Sequence, residues 1–392
     1  MANISFMMQS FPGGGVERVI MNLAKPLTEA GHRVFLFVNH LLEDKLPQED
    51  LPITYIRLPY RVRKSKNYPV IVEAVKKYDI KVFFSLLYFP SYLKELRAAD
   101  LCRVVYVLHG EPFYEKKMKQ ANITKPEKLT LGSWMKRYLL NIPKLKLGYY
   151  DWRMVKYYKK AYYNTDAFGV LFDGYGEQIA KVLNLDYKTS HLCTLQNPIA
   201  EFDGDNVAFP REKRVVYVGR LTYWDKRLER LLAVWEKLHL KFTDWRLCFV
   251  GDGEEERNLR KIVADKALQR VEFLGWHTNP TQFYRTSEIM CMTSASEGCP
   301  MALLEAQQCG CVAVAFDCCA GIHEILSPTW ENGVLVPNGD IDAYADALAK
   351  LMSNADLRHK IQTTCTESTK RFSIENSVKQ YDALIRKLCL DK

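Results

Sequence analysis

Two series of short apolar runs fix the class of fold open to this chain. The first is NISFMM, RVFLFVN, ITYIRLP, KVFFSLLY, RVVYVLHG, AFGVLF and HLCTLQNP; the second is RVVYVGRL, WRLCFVGDG, VEFLGW, IMCMTSA, CVAVAFD and GVLVP. Val, Ile, Phe and Tyr dominate them, Gly or Pro closes many, and helical patterns lie between. Continuous apolar runs joined by helices read as parallel strands buried on both faces. The expected class is therefore α/β, with two doubly wound halves. The chain has 392 residues, 48 % of them hydrophobic, enough for two cores. A polar stretch with two prolines and no periodicity, NPIAEFDGDNVAFPREK (Asn197–Lys213), is where the halves should divide. This predicts one domain over 1–197 and another over 198–373, followed by an amphipathic helix over 374–392.

In open α/β sheets ligands bind beyond the carboxyl ends of the strands, so the informative residues stand where strands stop. Gly13-Gly14-Gly15 follows the first strand and precedes a helical pattern, so Gly14 and Gly15 bring backbone amides close to a phosphate or sugar. The same glycines also serve a plain tight turn. The loop is neither G-x-G-x-x-G nor a P-loop. In VGRLTYWDKR, Arg220 and Lys226 lie just past the first strand of the second half. A guanidinium that grips two oxygens and an ammonium that adds a point charge suit a diphosphate; two ordinary surface cations are the alternative. SEGCPMALLEAQQCG (Ser296–Gly310) predicts a short helix with Pro300 in its first position and Gly310 as its stop. Glu297 stands just before its free N–H groups and Glu305 in its second turn. Capping explains the first glutamate but not the second.

Taken in order, GGGVERV, VGRL…DK, VGDG, FLGW, SEGCPMALLEAQQCGCVAVAFD and ENGVLVPNGD resemble the retaining nucleotide-sugar glycosyltransferases of family 4. The likeness runs along nearly the whole chain and is strongest after Arg214. It implies the GT-B architecture of two facing Rossmann-like domains with a cleft between them, the last helix crossing back onto the first domain. It also implies roles. Glu305 would accept hydrogen bonds from the ribose diol. The backbone at Gly298, Cys299, Pro300, Met301, Ala302 and Leu303 would hold the diphosphate, and Glu297 would face the transferred sugar. Arg220 and Lys226 would stabilise charge on the departing diphosphate. Gly253 of VGDG and Trp276 after FLG would lie along the donor, Trp276 near the base unless it is simply packed. His109, ending the strand RVVYVLHG, would touch the donor sugar or support front-face transfer unless a local carbonyl satisfies it. The resemblance implies no clear enzyme nucleophile, so Glu297 is not assigned as one; the oxygen of the leaving phosphate would itself receive the acceptor's proton. Two positions depart from the family: Cys299 stands where an aromatic is common, and Arg227 where a glycine follows the lysine.

The implied activity is a metal-independent, retaining hexosyl or N-acetylhexosaminyl transfer from a UDP-sugar, with no cofactor. The acceptor would be a glycan of surface-polysaccharide synthesis, in its most specific form a polyprenyl-diphosphate-linked one. An epimerase or phosphorylase on the same scaffold, and a non-catalytic nucleotide-sugar-binding protein, are the rival readings. Asp203-Gly204-Asp205 looks like a metal motif but falls in the linker, and the Arg/Lys pair makes a catalytic cation unnecessary. Cys309, Cys311, Cys318 and Cys319 lack the C-x₂-C spacing of zinc sites and read as buried thiols.

The formal charge of +9 is unevenly spread. Between Lys116 and Lys160 thirteen Lys/Arg face only Glu127 and Asp151, interleaved with Trp134, Tyr138, Tyr149, Tyr150, Trp152, Tyr157 and Tyr158. RVRKSK (Arg61–Lys66) is a second basic cluster. Basic and aromatic residues together suit an anionic membrane surface; a solvated helix face over core aromatics is the alternative. No nucleic-acid reader motif is present, so nucleic acid is not an expected partner. The N-terminus lacks a signal-peptide pattern, eleven cysteines suggest a reducing compartment, and no apolar run reaches membrane-spanning length. The expected location is cytoplasmic, peripheral on the inner face of the membrane.

Overall fold

A computed structural model describes residues 1–13, 15–47, 51–125, 130–200 and 210–390. They form two compact units. Unit 1 comprises Met1–Pro112, Arg153–Ala200 and Phe372–Lys392, and unit 2 comprises Phe113–Trp152 and Glu201–Arg371.

Unit 1 is built on a seven-stranded sheet. Its strands are β1 (Asn3–Phe11), β2 (Arg33–Leu41), β3 (Ile53–Arg57), β4 (Ile80–Leu86), β5 (Arg103–Leu108), β6 (Ala167–Val170) and β7 (Leu192–Thr194). The spatial order is β3-β2-β1-β4-β5-β6-β7, and every pairing is parallel. The order reverses between β1 and β4, which is the switch point where such sheets bind ligands. Helices cover the sheet through apolar stripes. Gly15–Glu29 buries Val19, Ile20, Leu23, Ala24 and Leu27, one face of a 3.6-residue repeat. The last helix, Ile374–Leu390, belongs to this unit and buries Tyr381, Ile385 and Leu388. The Tyr381 ring lies 5.6 Å from that of Phe84 on β4, and Asp382 meets the buried His32 at 2.8 Å.

Unit 2 has a six-stranded sheet of β8 (Glu212–Val218), β9 (Arg246–Val250), β10 (Val271–Gly275), β11 (Ser287–Met292), β12 (Val312–Asp317) and β13 (Val334–Pro337). Its order is β10-β9-β8-β11-β12-β13, again parallel throughout, with the switch point between β8 and β11. Trp235, Trp245, Tyr217 and Tyr344 are fully buried in its core. Both sheets are Rossmann-like and doubly wound, and every expected apolar run supplies a strand.

The boundaries lie within three residues of the expected 1–197 and 198–373, at Ala200 and Arg371, and the larger difference is one internal segment. Phe113–Trp152 packs with unit 2 although it lies inside the first half of the sequence. Its helix Tyr114–Thr124 packs on the short helix Tyr223–Lys226. Lys117 donates from Nζ to the Cys318 carbonyl at 2.8 Å, and Lys125 pairs with Glu255 at 2.6 Å. These side chains reach partners more than a hundred residues away, which hydrophobic periodicity does not register. Asp203, Gly204 and Asp205 lie outside the described residues.

Candidate active site

The switch point of the second sheet brings together residues from two loops. The loop after β8 passes Gly219 and Arg220 and enters the helix Tyr223–Lys226. The loop after β11 runs from Thr293 to Pro300 and enters the helix Met301–Gln308. Between them Lys226 Nζ lies 2.7 Å from Glu297 Oε1, with both side chains largely buried. Ser294 donates from Oγ to the same oxygen at 2.6 Å. Asp225 completes the group: it lies 4.0 Å from Lys226 Nζ and 3.6 Å from the Arg220 guanidinium, and it accepts from Thr222 Oγ1. Its carbonyl also accepts from the Ala295 N–H at 2.7 Å, tying one loop to the other. Burial pulls the Lys226 pKa down, but the Glu297 and Asp225 carboxylates outweigh it and the net shift is upward. The lysine is a fixed cation at any physiological pH. Arg220 is 72 % exposed at its side chain, an open charge anchored at one end by Asp225.

Two glycines explain the tightness of this edge. A Cβ on Gly251 would stand 2.0 Å from the Gly219 carbonyl oxygen, and one on Gly253 would stand 2.4 Å from that of Leu221. Both have positive φ, 136° and 155°. The loop after β9 thus lies directly against the loop carrying Arg220, and Gly253 serves that packing.

Glu305 sits half-buried in the second turn of its helix, where Tyr284 donates to its Oε2 at 3.1 Å. Burial, and then the Glu305 charge, push the Tyr284 phenol well above its usual pKa, so it remains a donor. The helix begins one residue later than expected. Pro300 is its cap, at φ −77° and ψ 73°, and Met301 is the first helical residue. The Met301 and Leu303 N–H groups, two of the amides expected to meet the diphosphate, donate here to the carbonyls of Cys299 and Pro300 at 2.9 Å. The Ala302 amide lies between them at the helix start, where N–H groups have no carbonyl in the preceding turn. Gly310 ends the helix at φ +64°, with Cys311 N–H returning to the Ala306 carbonyl and Gly310 N–H to Gln307, a Schellman arrangement. Gly298 and Cys299 are half-buried in the loop, and the Cys299 thiol faces Met301 Sδ at 3.6 Å.

Trp276 follows β10 and is 66 % exposed, so it is not core packing. Arg227 adopts the left-handed conformation, φ 51° and ψ 47°. That is the backbone a glycine takes without strain. Here a contact with Glu229 and a position 4.7 Å from the Tyr223 ring centroid hold the arginine in it.

Two expected residues belong to unit 1. His109 follows β5 and is buried, and neither ring nitrogen has a hydrogen-bond partner in good geometry; the same is true of Asn197 Oδ1. Burial drives the His109 pKa down to about 4 against the opposing pull of the Asn197 side chain, so the ring is neutral near pH 7. Gly15 opens the helix after β1, and a Cβ there would meet nothing within 4 Å, so packing does not require glycine. Gly14 lies outside the described residues.

Asp225, Ser294, Tyr284 and Asn197 were not singled out in the sequence. Asp225 abuts Lys226 and Ser294 follows a strand end, so both were within reach of the strand-end rule; Tyr284 lies in a helix and carried no signal. The cysteines at 309, 311, 318 and 319 are reduced thiols, three of them buried and Cys309 half-buried. Among the described residues no group of three or more His, Cys, Asp or Glu is placed to hold a metal ion.

Residues 13–168 match the family model described as Glycosyltransferase Family 4, and residues 199–367 match that described as Glycosyl transferases group 1. Together the two matches take in well over half of the chain. The chain belongs to the GT-B glycosyltransferases of the family 4 type. An uncharacterized glycosyltransferase of Haemophilus influenzae is 29 % identical over 202 residues, 51 % of this chain and 56 % of that one. The amylovoran biosynthesis glycosyltransferase AmsD of Erwinia amylovora is 30 % identical over 191 residues, 48 % of this chain and 52 % of its own length. The chain thus spans about half the length of these curated relatives. Among solved structures, HepE of Anabaena in complex with UDP and glucose superposes with a TM-score of 0.72 at 16 % identity, covering 99 % of this chain and 100 % of HepE. A glycosyltransferase of Rickettsia africae gives 0.74 at 16 %, covering 100 % of this chain and 99 % of its own. At such identities the likeness is one of fold.

Proposed function

We propose that this chain transfers a hexosyl or N-acetylhexosaminyl group from a UDP-sugar to a glycan acceptor, with retention of anomeric configuration and without a metal ion. The observation that carries the reading is the Lys226–Glu297 contact of 2.7 Å at the sheet's switch point, with Arg220 open beside it and Glu305 eight residues further on. A nucleoside diphosphate needs a cation pair at its phosphates and a two-oxygen acceptor at its ribose. These residues supply both on elements fixed by the sheet.

The anomeric carbon would lie near Glu297. The acceptor oxygen forms its bond to that carbon on the face from which UDP departs, and the carbon–phosphate oxygen bond breaks. The acceptor's proton passes to the β-phosphate oxygen that leaves. Lys226 and Arg220 stabilise the charge gathering on the diphosphate, which is the work a divalent cation does elsewhere. Glu297, held by Lys226 and Ser294, orients the sugar. The UDP preference draws on HepE and on Staphylococcus aureus TarM, whose solved complexes contain UDP. A glycan acceptor accords with AmsD and with the lipopolysaccharide 1,6-galactosyltransferase of Salmonella typhimurium. A polyprenyl-diphosphate-linked glycan is the specific form proposed.

The test is to supply UDP-sugars with lipid-linked glycan acceptors in the presence of EDTA and read the product's anomeric coupling by NMR. Formation of a product with the donor's configuration supports the reading. Inversion, a strict need for added metal, or conversion of the donor without acceptor would overturn it.

A further inference from the structure

We propose that Lys117 and Lys125, near the two ends of one helix, are positioning residues that hold the loop of Arg220 and Lys226 in place. This rests on the reading of those two cations as the diphosphate site. One arm of its test needs no turnover, so the two readings can fail separately.

The helix Tyr114–Thr124 comes from the first half of the sequence and packs in unit 2 on Tyr223–Lys226, the helix that carries Lys226. It starts from Phe113 at φ 62°, a left-handed backbone that a bulky residue keeps only where its surroundings impose it. Lys117 lies in its first turn and Lys125 just past its end. Their spacing is that of one helix face, about 12 Å along the axis.

Lys125 meets the loop after β9. Its Nζ lies 2.6 Å from Glu255 Oε1, whose side chain is only 7 % exposed, and Asn258 donates to the other carboxylate oxygen at 3.0 Å. A carboxylate as buried as Glu255 needs a cation beside it, and this helix supplies one from outside the sheet. Glu255 in turn grips the loop after β8. Its N–H donates to the Leu221 carbonyl at 3.0 Å, and the Leu221 N–H donates to the Asp252 carbonyl at 2.7 Å. Leu221 directly follows Arg220. Lys125 Nζ also lies 5.4 Å from the ring centroid of Tyr223, a buried residue at the start of the Lys226 helix. The Arg137 guanidinium donates to the Lys125 carbonyl at 3.0 Å, so this lysine is engaged by backbone and side chain alike.

Lys117 meets the loop after β12, donating from Nζ to the Cys318 carbonyl at 2.8 Å. β12 is the neighbour of β11, whose loop carries Glu297. Hydrogen bonding with Cys319 and then burial push the Cys318 thiol well above its usual pKa, and the Glu297 charge adds to them, so this corner adjoins the site. One helix therefore braces three loops at the carboxyl edge of the sheet. A displacement of about 1 Å at a reacting group can cost about a hundredfold in rate, so such a brace bears on turnover before it bears on binding.

The experiment compares Lys125→Met, Lys117→Met and Lys125→Arg with Lys119→Met, a charge-loss control on the same helix. Two quantities are read: kcat and KM for the UDP-sugar in the transfer assay, and hydrogen exchange of the 219–227 amides in the unliganded protein. Lys125→Met should lower kcat by about ten- to a hundredfold, with KM changed less than about threefold. Exchange over 219–227 should quicken in the same variant. Lys117→Met, which loses one hydrogen bond to a carbonyl, should show both effects more weakly, about fivefold in kcat. Lys125→Arg keeps the cation and should recover most of both, and Lys119→Met should match the wild type. Unchanged exchange over 219–227 in Lys125→Met overturns the proposal, whether or not the chain transfers sugar. So does an unchanged kcat in that variant, a loss that Lys125→Arg shares in full, or the same effects in Lys119→Met.

Discussion

Lys226 Nζ and Glu297 Oε1 stand 2.7 Å apart although 71 residues separate them in the chain. They meet because β8 and β11 are neighbours in the sheet, and each loop leaves its strand at the point where the winding reverses. Removing the ammonium in Lys226→Ala leaves the Glu297 carboxylate buried without its cation, a change that costs on the order of 3 kcal/mol for well-buried pairs. Turnover should fall by roughly 10²–10³-fold through loss of leaving-group stabilisation. Chemical denaturation should show Lys226→Met/Glu297→Gln to be more stable than Lys226→Ala, since the double change removes both charges. The raised Lys226 pKa means that the pair's contribution is complete below the lysine's ordinary value of 10.5 and is lost only as pH rises through the folded value. The stability gap between wild type and Lys226→Ala should therefore stay level from about pH 6 to 9.

Glu305 and Tyr284 separate binding from positioning. Glu305→Gln keeps the shape and loses the charge that would accept the ribose diol, so KM for the donor should rise by about ten- to a hundredfold, the worth of a hydrogen bond to a charged group. Tyr284→Phe removes the donor at 3.1 Å that orients the carboxylate. Its effect on KM should be smaller, about fivefold, with kcat little changed. A larger effect for Tyr284→Phe than for Glu305→Gln would reverse these roles.

His109 gives a signature in acid. Its folded pKa of about 4 lies below the ordinary 6.5, so the unfolded chain binds the extra proton first. Stability then falls as pH drops from 6.5 towards 4 and levels off below. The loss amounts to about 3 kcal/mol once the folded state is protonated as well, below about pH 4. His109→Leu should remove this component, seen as a shallower decline of melting temperature with acid. Equal declines in the two proteins would mean that the ring is not desolvated.

The glycines should divide into two kinds. Gly251→Ala places a methyl against the Gly219 carbonyl at positive φ and should destabilise by more than about 1 kcal/mol. Gly15→Ala meets nothing within 4 Å at a helix start, so stability should change by less than about 1 kcal/mol.

The strands were legible because a parallel strand buried on both faces leaves an uninterrupted apolar signature, and Gly or Pro marks where it stops. Arg220, Lys226 and Glu297 were legible for the same reason: they stand just past strand ends, where loops carry chemistry. The allegiance of Phe113–Trp152 was not. It rests on Lys117 reaching the Cys318 carbonyl and on Lys125 reaching Glu255, contacts with no local pattern. Pro300 shows the limit at single-residue scale. Its ring suits both a cap and a first helical position, and only its ψ of 73° separates them. Arg227 shows the opposite case: the resemblance implies a glycine after the lysine, and the arginine there takes the left-handed backbone that a glycine adopts freely.

The measurement that bears most directly on the account is thermal stabilisation of the wild type and Glu305→Gln by UDP, GDP, ADP and dTDP, each with and without EDTA. A ligand at about 100 times its Kd adds about 2.7 kcal/mol. The account predicts a shift with UDP in the wild type that EDTA leaves in place and that Glu305→Gln largely abolishes. A UDP shift of the same size in Glu305→Gln, a shift that EDTA erases, or no shift with UDP would contradict it.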